Sequence, residues 1–271
     1  VFAATAGEAS LTPPVVFINL VPELISVNTT GTATVLVPFD VSEDEPLPEE
    51  VLGLLSSVGV VLLGYYPVPS QAAPAQIKHQ HEEDAERRVD EIADRLRGRA
   101  DTVTGLLVFT HDRDETVDRV ADEHEADAVL TPGEVTSVEG VLVPVRGGQN
   151  IENLLGLTGA LLGSTEATAT LVHSVDEESP EGHGEELLKD AAERLVDLGV
   201  DGSRVRTRVS AGDDTAADIA SMGDEFDVLV IGETEPSLRD RILGRVPSRI
   251  LANTSEPVFV VRDTDSTETD A

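Results

Sequence analysis

Cysteine and tryptophan are missing from this chain, and lysine occurs only at Lys78 and Lys189. Without cysteine there is no disulfide, no thiolate nucleophile and no cysteine-held metal, and a reducing cytoplasm is the expected compartment. Positive charge is scarce as a class, with 19 Lys and Arg against 52 Asp and Glu and a net charge of -33. That imbalance repels phosphate backbones and anionic lipid, so no nucleic-acid partner is expected. Long hydrophobic runs are lacking too. Residues 51–77 carry no charge, but Gly53, Gly59, Gly64, Pro67, Pro69 and Pro74 interrupt them, leaving no clean stretch of about 20 apolar residues for a membrane span. No basic region precedes the first apolar segment, so no secretory signal is expected.

The usual catalytic signatures are absent as well: no Gly-x-Ser-x-Gly elbow, no Walker lysine and no His-Glu-x-x-His. His79 and His81 lie two apart at a helix start and do not share a face. The acidic stretch 176–186 lacks the ligand order of an EF-hand. The chain is therefore expected to be neither an enzyme nor a metal protein. What remains is folded, since hydrophobic residues make up 40% of the chain in regular runs, unlike a disordered acidic segment. Many acids and almost no lysine suit a high-salt cytoplasm, where screening over about 3 Å at 1 M salt removes most self-repulsion.

The chain nearly repeats itself. TVLVPFDVS at 34–42 returns as GVLVPVRGG at 140–148, and EADAVLTPG at 125–133 returns as EFDVLVIGE at 225–233. Asp114-Glu115-Thr116 and Asp213-Asp214-Thr215 each open a further apolar-periodic stretch. Offsets this long exclude short solenoid repeats and indicate a duplicated domain. Aliphatic runs at 35–37, 61–66, 102–110 and 127–131 alternate with helical patterns at 48–59, 79–99 and 116–125, so the sheet is parallel with right-handed crossovers. The order restarts with strands at 141–145, 167–175, 204–210 and 227–231 and helices at 150–162, 184–198 and 214–223. Only this second copy continues to a fifth strand, 257–261. Eight residues, 132–139, separate the first copy's fourth strand from the next repeat, too few for a crossover helix and strand. The expected organisation is an N-terminal segment 1–32, a truncated α/β unit 33–138, a complete five-stranded α/β unit 139–262 and an acidic tail 263–271. Within the N-terminal segment, residues 15–21 have strand composition and are expected to replace the first copy's missing fifth strand.

Two residue groups could carry chemistry. The strand ending in VPFDVS, the αβ alternation and IGETEPSLRDRILGRVPSRILANTSEPVFVV at 231–261 resemble the universal stress protein family, in tandem Rossmann-like units. In that family's nucleotide-binding branch an Asp closes the first strand and holds adenosine, and a Gly-x2-Gly-x9-Gly-(Ser/Thr) segment after the fourth strand wraps the phosphates, with backbone amides and a helix N-terminus as donors. Asp40 matches that Asp, but its half lacks the phosphate segment. In the second half Gly232 and Gly244 match, while Arg146 stands at the Asp position, Glu235 at the second glycine and Arg245 at the hydroxyl residue, with the last spacing one residue short. The resemblance thus implies a nucleotide site that has lost its selectivity for ATP. Separately, Arg239, Arg241, Arg245 and Arg249 gather four cations that would either bind an anion with Arg146 or pair with the chain's own carboxylates.

The resemblance implies a non-catalytic regulatory or sensing protein without a bound cofactor. The alternatives are an ATP-binding stress protein with weak ATPase activity, or a regulator working with a membrane transporter as its client. It also implies association through the C-terminal strand, either as a homodimer or as a pseudo-dimer within one chain.

Overall fold

Runs of Val, Leu and Ile bounded by Gly or Pro form the strands, and every crossover helix turns an apolar stripe onto them. The computed structural model describes residues 19–20, 33–43, 47–147, 150–175, 182–211, 215–233 and 254–263. The elements in order are β1 (Asn19–Leu20), β2 (Thr34–Asp40), α1 (Glu49–Leu54), β3 (Gly59–Pro67), α2 (Pro74–Leu96), β4 (Thr102–Thr110), α3 (Arg113–Glu123) and β5 (Ala128–Thr131). The second half adds β6 (Gly140–Pro144), α4 (Ile151–Gly163), β7 (Thr168–Val175), α5 (His183–Asp197), β8 (Val205–Ala211), α6 (Thr215–Gly223), β9 (Val228–Gly232) and β10 (Val258–Val261). The α/β alternation expected from the sequence is present in both halves. Several boundaries move by a few residues; α2 begins at Pro74, not near His79, because proline's fixed φ suits the first helical turn.

The strands form one ten-stranded sheet in the order β1-β4-β3-β2-β5-β10-β9-β6-β7-β8. Within each half the pairing from β2 onward is parallel. Between the halves β10 joins β5 antiparallel, with Val258 opposite Thr131 and Val261 opposite Ala128, while its other edge pairs parallel with β9. The fifth strand of the second half thus closes the place that the first half leaves empty. This corrects the expectation for residues 15–21. Of these only 19–20 are described, and as β1 they pair antiparallel with Leu106 and Leu107 of β4, at the opposite edge. The vacant place is already filled by a strand whose four residues are all buried.

Alternating side chains divide the interior. On one face a single core runs through both halves, from Val35, Val37 and Leu62 to Val141, Val143 and Phe259, beneath α1, α2, α4 and α5. On the other face two separate cores lie under α3 and α6. The halves also touch where Ser164 Oγ, after α4, donates to Leu54 O at 3.3 Å. The glycines of α4 do not pack on the sheet: a Cβ on Gly159 would meet Leu198 at 3.5 Å, and Gly156 and Gly163 face open space. Among the described residues no helix is long and apolar enough to cross a membrane.

Candidate functional site

In a doubly wound sheet the crevice opens at the carboxyl ends of the strands where the winding reverses. Here that means between the exits of β2 and β5 in the first half, and of β6 and β9 in the second. Because β10 and β5 are antiparallel, the two crevices open at opposite ends of the sheet. Each is therefore walled partly by the other half.

The first crevice contains Asp40. Its Oδ1 accepts from the Ser42 backbone N–H at 2.7 Å and from Ser42 Oγ at 2.6 Å, a local turn that uses the oxygen within the chain. Asp40 pairs across the sheet with Tyr65, and the Arg113 guanidinium stands 5.6 Å from the Tyr65 ring centroid. Burial pushes the Tyr65 phenol above its ordinary pKa, with Arg113 opposing and Asp40 adding, so the hydroxyl stays protonated. Tyr66 stacks between His81 and Phe109, with ring centroids 4.9 and 5.2 Å away. The β5 side is closed by backbone: a Cβ on Gly133 would come within 2.4 Å of Ser255 O, and Glu134 N–H donates to the same oxygen at 2.9 Å.

The second crevice contains Arg146 and Gly232. Arg146 is exposed, two residues beyond β6. Gly232 closes β9 beside Asn150, whose Nδ2 would lie 3.6 Å from a Cβ there. Asn150 precedes α4 and donates from Nδ2 to Val261 O at 3.3 Å, which leaves its Oδ1 buried without a donor. Gly244, Arg245, Glu235 and the cluster of Arg239, Arg241 and Arg249 lie outside the described residues.

The sequence itself sets the charge of Glu233 next to Gly232, but sequence reasoning missed the residues that the fold adds beside them. The first half's α3 brings Asp118 and Asp122 to the end of β10, where Arg262 pairs with Asp122 and donates to Ala126 O at 3.3 Å. Glu233 accepts from the Asp263 backbone N–H at 3.2 Å. Burial raises the Asp118 carboxyl to about 7; Arg262 opposes this, while Asp122, Glu233 and Asp114 add to it. Burial raises Glu233 too, against the Asp263 N–H and Arg262. The only signal in the sequence is the four-residue spacing of Asp114, Asp118 and Asp122, which on an isolated helix is a solvated face. Among the described residues, the crevice offers the exposed guanidinium of Arg146, the acid-paired guanidinium of Arg262, one unpartnered amide oxygen and a wall of carboxyl groups.

The family model of the universal stress proteins matches residues 137–262. No curated protein matches the chain. Among solved structures, a universal stress protein from Archaeoglobus fulgidus aligns with a TM-score of 0.60 at 14% identity, over 84% of this chain and 96% of that one. A functionally unknown protein from Pseudomonas aeruginosa aligns with a TM-score of 0.50 at 13% identity, over 86% and 94%. The chain therefore has the α/β fold of the universal stress proteins, and residues 137–262 are similar in sequence to that family's domain.

Proposed function

We propose that the whole chain is a tandem universal stress protein that works as a non-catalytic regulatory or sensing module in a high-salt cytoplasm. The observation that carries this reading is the exit of β6 and β9. Arg146 stands where the resembled family has its adenosine-holding carboxylate, and a guanidinium has only donors, so it cannot accept hydrogen bonds from ribose. The carboxyl groups of Glu233, Asp118 and Asp122 stand where phosphates would approach, and each repels a phosphate once it is ionised. The other half keeps Asp40 but turns its Oδ1 onto Ser42, and its sequence has no phosphate segment. The net charge of -33 supports the high-salt setting.

A second reading, binding of an adenine nucleotide, is favoured by Asn150 Oδ1, a buried acceptor beside Gly232 that lacks a donor. A ligand N–H or hydroxyl would complete it. Calorimetric titration of ATP and AMP into the protein in 3 M KCl separates the two. No measurable heat is expected, and the triple variant Arg146→Asp, Glu235→Gly, Arg245→Ser should gain affinity. Micromolar ATP binding by the unmodified chain, about -8 kcal/mol, would replace the first reading by the second.

A further inference from the structure

The two outer edges of the sheet are treated differently. At one, β1 covers β4. At the other, β8 pairs only with β7 among the described residues, and Arg206, Thr207, Arg208 and Val209 are exposed along it. A seven-residue strand with an open edge presents a row of backbone donors and acceptors about 23 Å long. It is also held firmly. The Arg204 guanidinium just before it donates to the carbonyls of Leu162, Thr165 and Ala167 at 2.7–3.0 Å, tying the start of β8 to the end of α4.

Chemistry at this edge departs from the acidic average of the chain. Val-Arg-Thr-Arg-Val-Ser-Ala contains two cations and no acid in a chain of net charge -33. The period of two puts Arg206 and Arg208 on one face of the sheet, where Arg208 makes only a 3.5 Å exposed pair with Glu225. The large apolar side chains left exposed among the described residues, Val196, Leu198 and Val209, all belong to β8 or the end of α5. A groove of about 410 Å³ runs beside Val196 between α5 and the start of β8, lined by Lys189, Ala192, Val196 and Val205 and, at its α5 rim, by the acids Glu193 and Asp197. An edge protected only against aggregation would carry charge without this apolar flank.

We infer that β8 is a docking edge for an extended acidic segment of a partner protein, which adds to the sheet as an eleventh strand. Main-chain hydrogen bonds supply affinity, carboxylates at alternate positions meet Arg206 and Arg208, and the residues between them lie along Val205, Thr207 and Val209. A second copy fits poorly. Antiparallel self-pairing centred on Thr207 sets Arg206 against Arg208 of the other chain twice, and like charges directly opposite destabilise a ladder. The edge stands two strands away from β6, so docking there needs nothing from the nucleotide crevice.

The test uses the full chain in 1 M KCl and a fluorescein-labelled nine-residue peptide of alternating Glu and Val, followed by anisotropy. The peptide should bind, and the Arg206→Glu/Arg208→Glu variant should lose at least tenfold in affinity with its melting temperature unchanged, because both side chains are exposed. A Lys-Val peptide should bind that variant better than it binds the unmodified chain. N-methylation of alternate peptide bonds should abolish binding. Failure of the peptide to bind, or equal binding by the charge-reversed variant, overturns the inference. So does a dimer in light scattering that the reversal dissociates, since a second copy would then occupy the edge.

Discussion

The two halves keep one carboxylate and exchange another. Asp127 and Asp227 occupy the same place, just before the fourth strand of each half. Asp127 Oδ2 accepts from Thr34 N–H at 2.7 Å, and Asp227 Oδ2 from Glu139 N–H at 2.8 Å and Gly140 N–H at 2.9 Å. Their own N–H groups return to Thr34 O and Gly140 O. Each clamp ties the start of the first strand to that of the fourth, a task set by folding alone. Asp40 and Arg146, at the exits of those first strands, differ in charge: Asp40 accepts from Ser42 in a local turn, and Arg146 is exposed. The two halves thus agree where the first and fourth strands are tied together and differ at the exits of the first strands.

The largest effect should come from salt. With 52 acids on one chain, the halves repel each other and themselves when unscreened. Melting temperatures in 0.1 M and 3 M KCl should differ by more than about ten degrees. Because one core runs through both halves, the transition should stay single. Equal temperatures would remove the high-salt reading, and two transitions would show that the halves are separate bodies.

Next in size is Phe259→Asp. Phe259 is fully buried and belongs to a strand that both halves share. An unpaired carboxylate there should cost about 4 kcal/mol or more, measured by denaturant unfolding in 3 M KCl. Hydrogen exchange should report lost protection in β5 as well as β9. Loss confined to the second half would mean that β10 is only an ornament to the first.

The clamps provide a finer comparison. Removing a carboxylate leaves two N–H groups unpaired in Asp227→Ala and one in Asp127→Ala. The expected costs are about 2–3 and about 1–2 kcal/mol. A reversed order would mean that the first half, lacking its own fifth strand, leans harder on its clamp.

Much of the winding is legible in the amino-acid sequence. Runs such as Val35–Val37 and Val141–Val143 announce strands because burial on both faces needs continuous apolar residues, and the repeat alone places Asp40, Arg146 and Gly232 at strand exits. The seam is not legible in this way. Nothing local in Val-Phe-Val-Val says which neighbour its second edge will take, and the apolar residues 15–21 compete for the same place. Asp118 illustrates the consequence: on α3 it reads as one of a row of solvated acids, and the fold half-buries it with Arg262, after β10, and Glu233, after β9, as its charged neighbours.

Asp118 also gives the smallest and most selective test, because no seam of this kind exists without the fusion. Its carboxyl is raised to about 7 from an unfolded value near 4. Below pH 4 both states are protonated and the side chain is at its most favourable. Between about 4 and 7 the unfolded chain releases the proton while the folded one retains it, so stability falls as pH rises through that window and levels off above it. Glu233, raised by the same burial, adds to the fall. The Asp118 side chain is only partly buried, so the loss should be on the order of 1–2 kcal/mol and not the full shift. Asp118→Asn should flatten the profile between pH 4 and 7 and leave the protein more stable than the unmodified chain at pH 8, measured by denaturant unfolding at fixed 3 M KCl. If the profile is unchanged, the seam does not desolvate Asp118, and the acids beside Gly232 are as freely solvated as the rest of the surface.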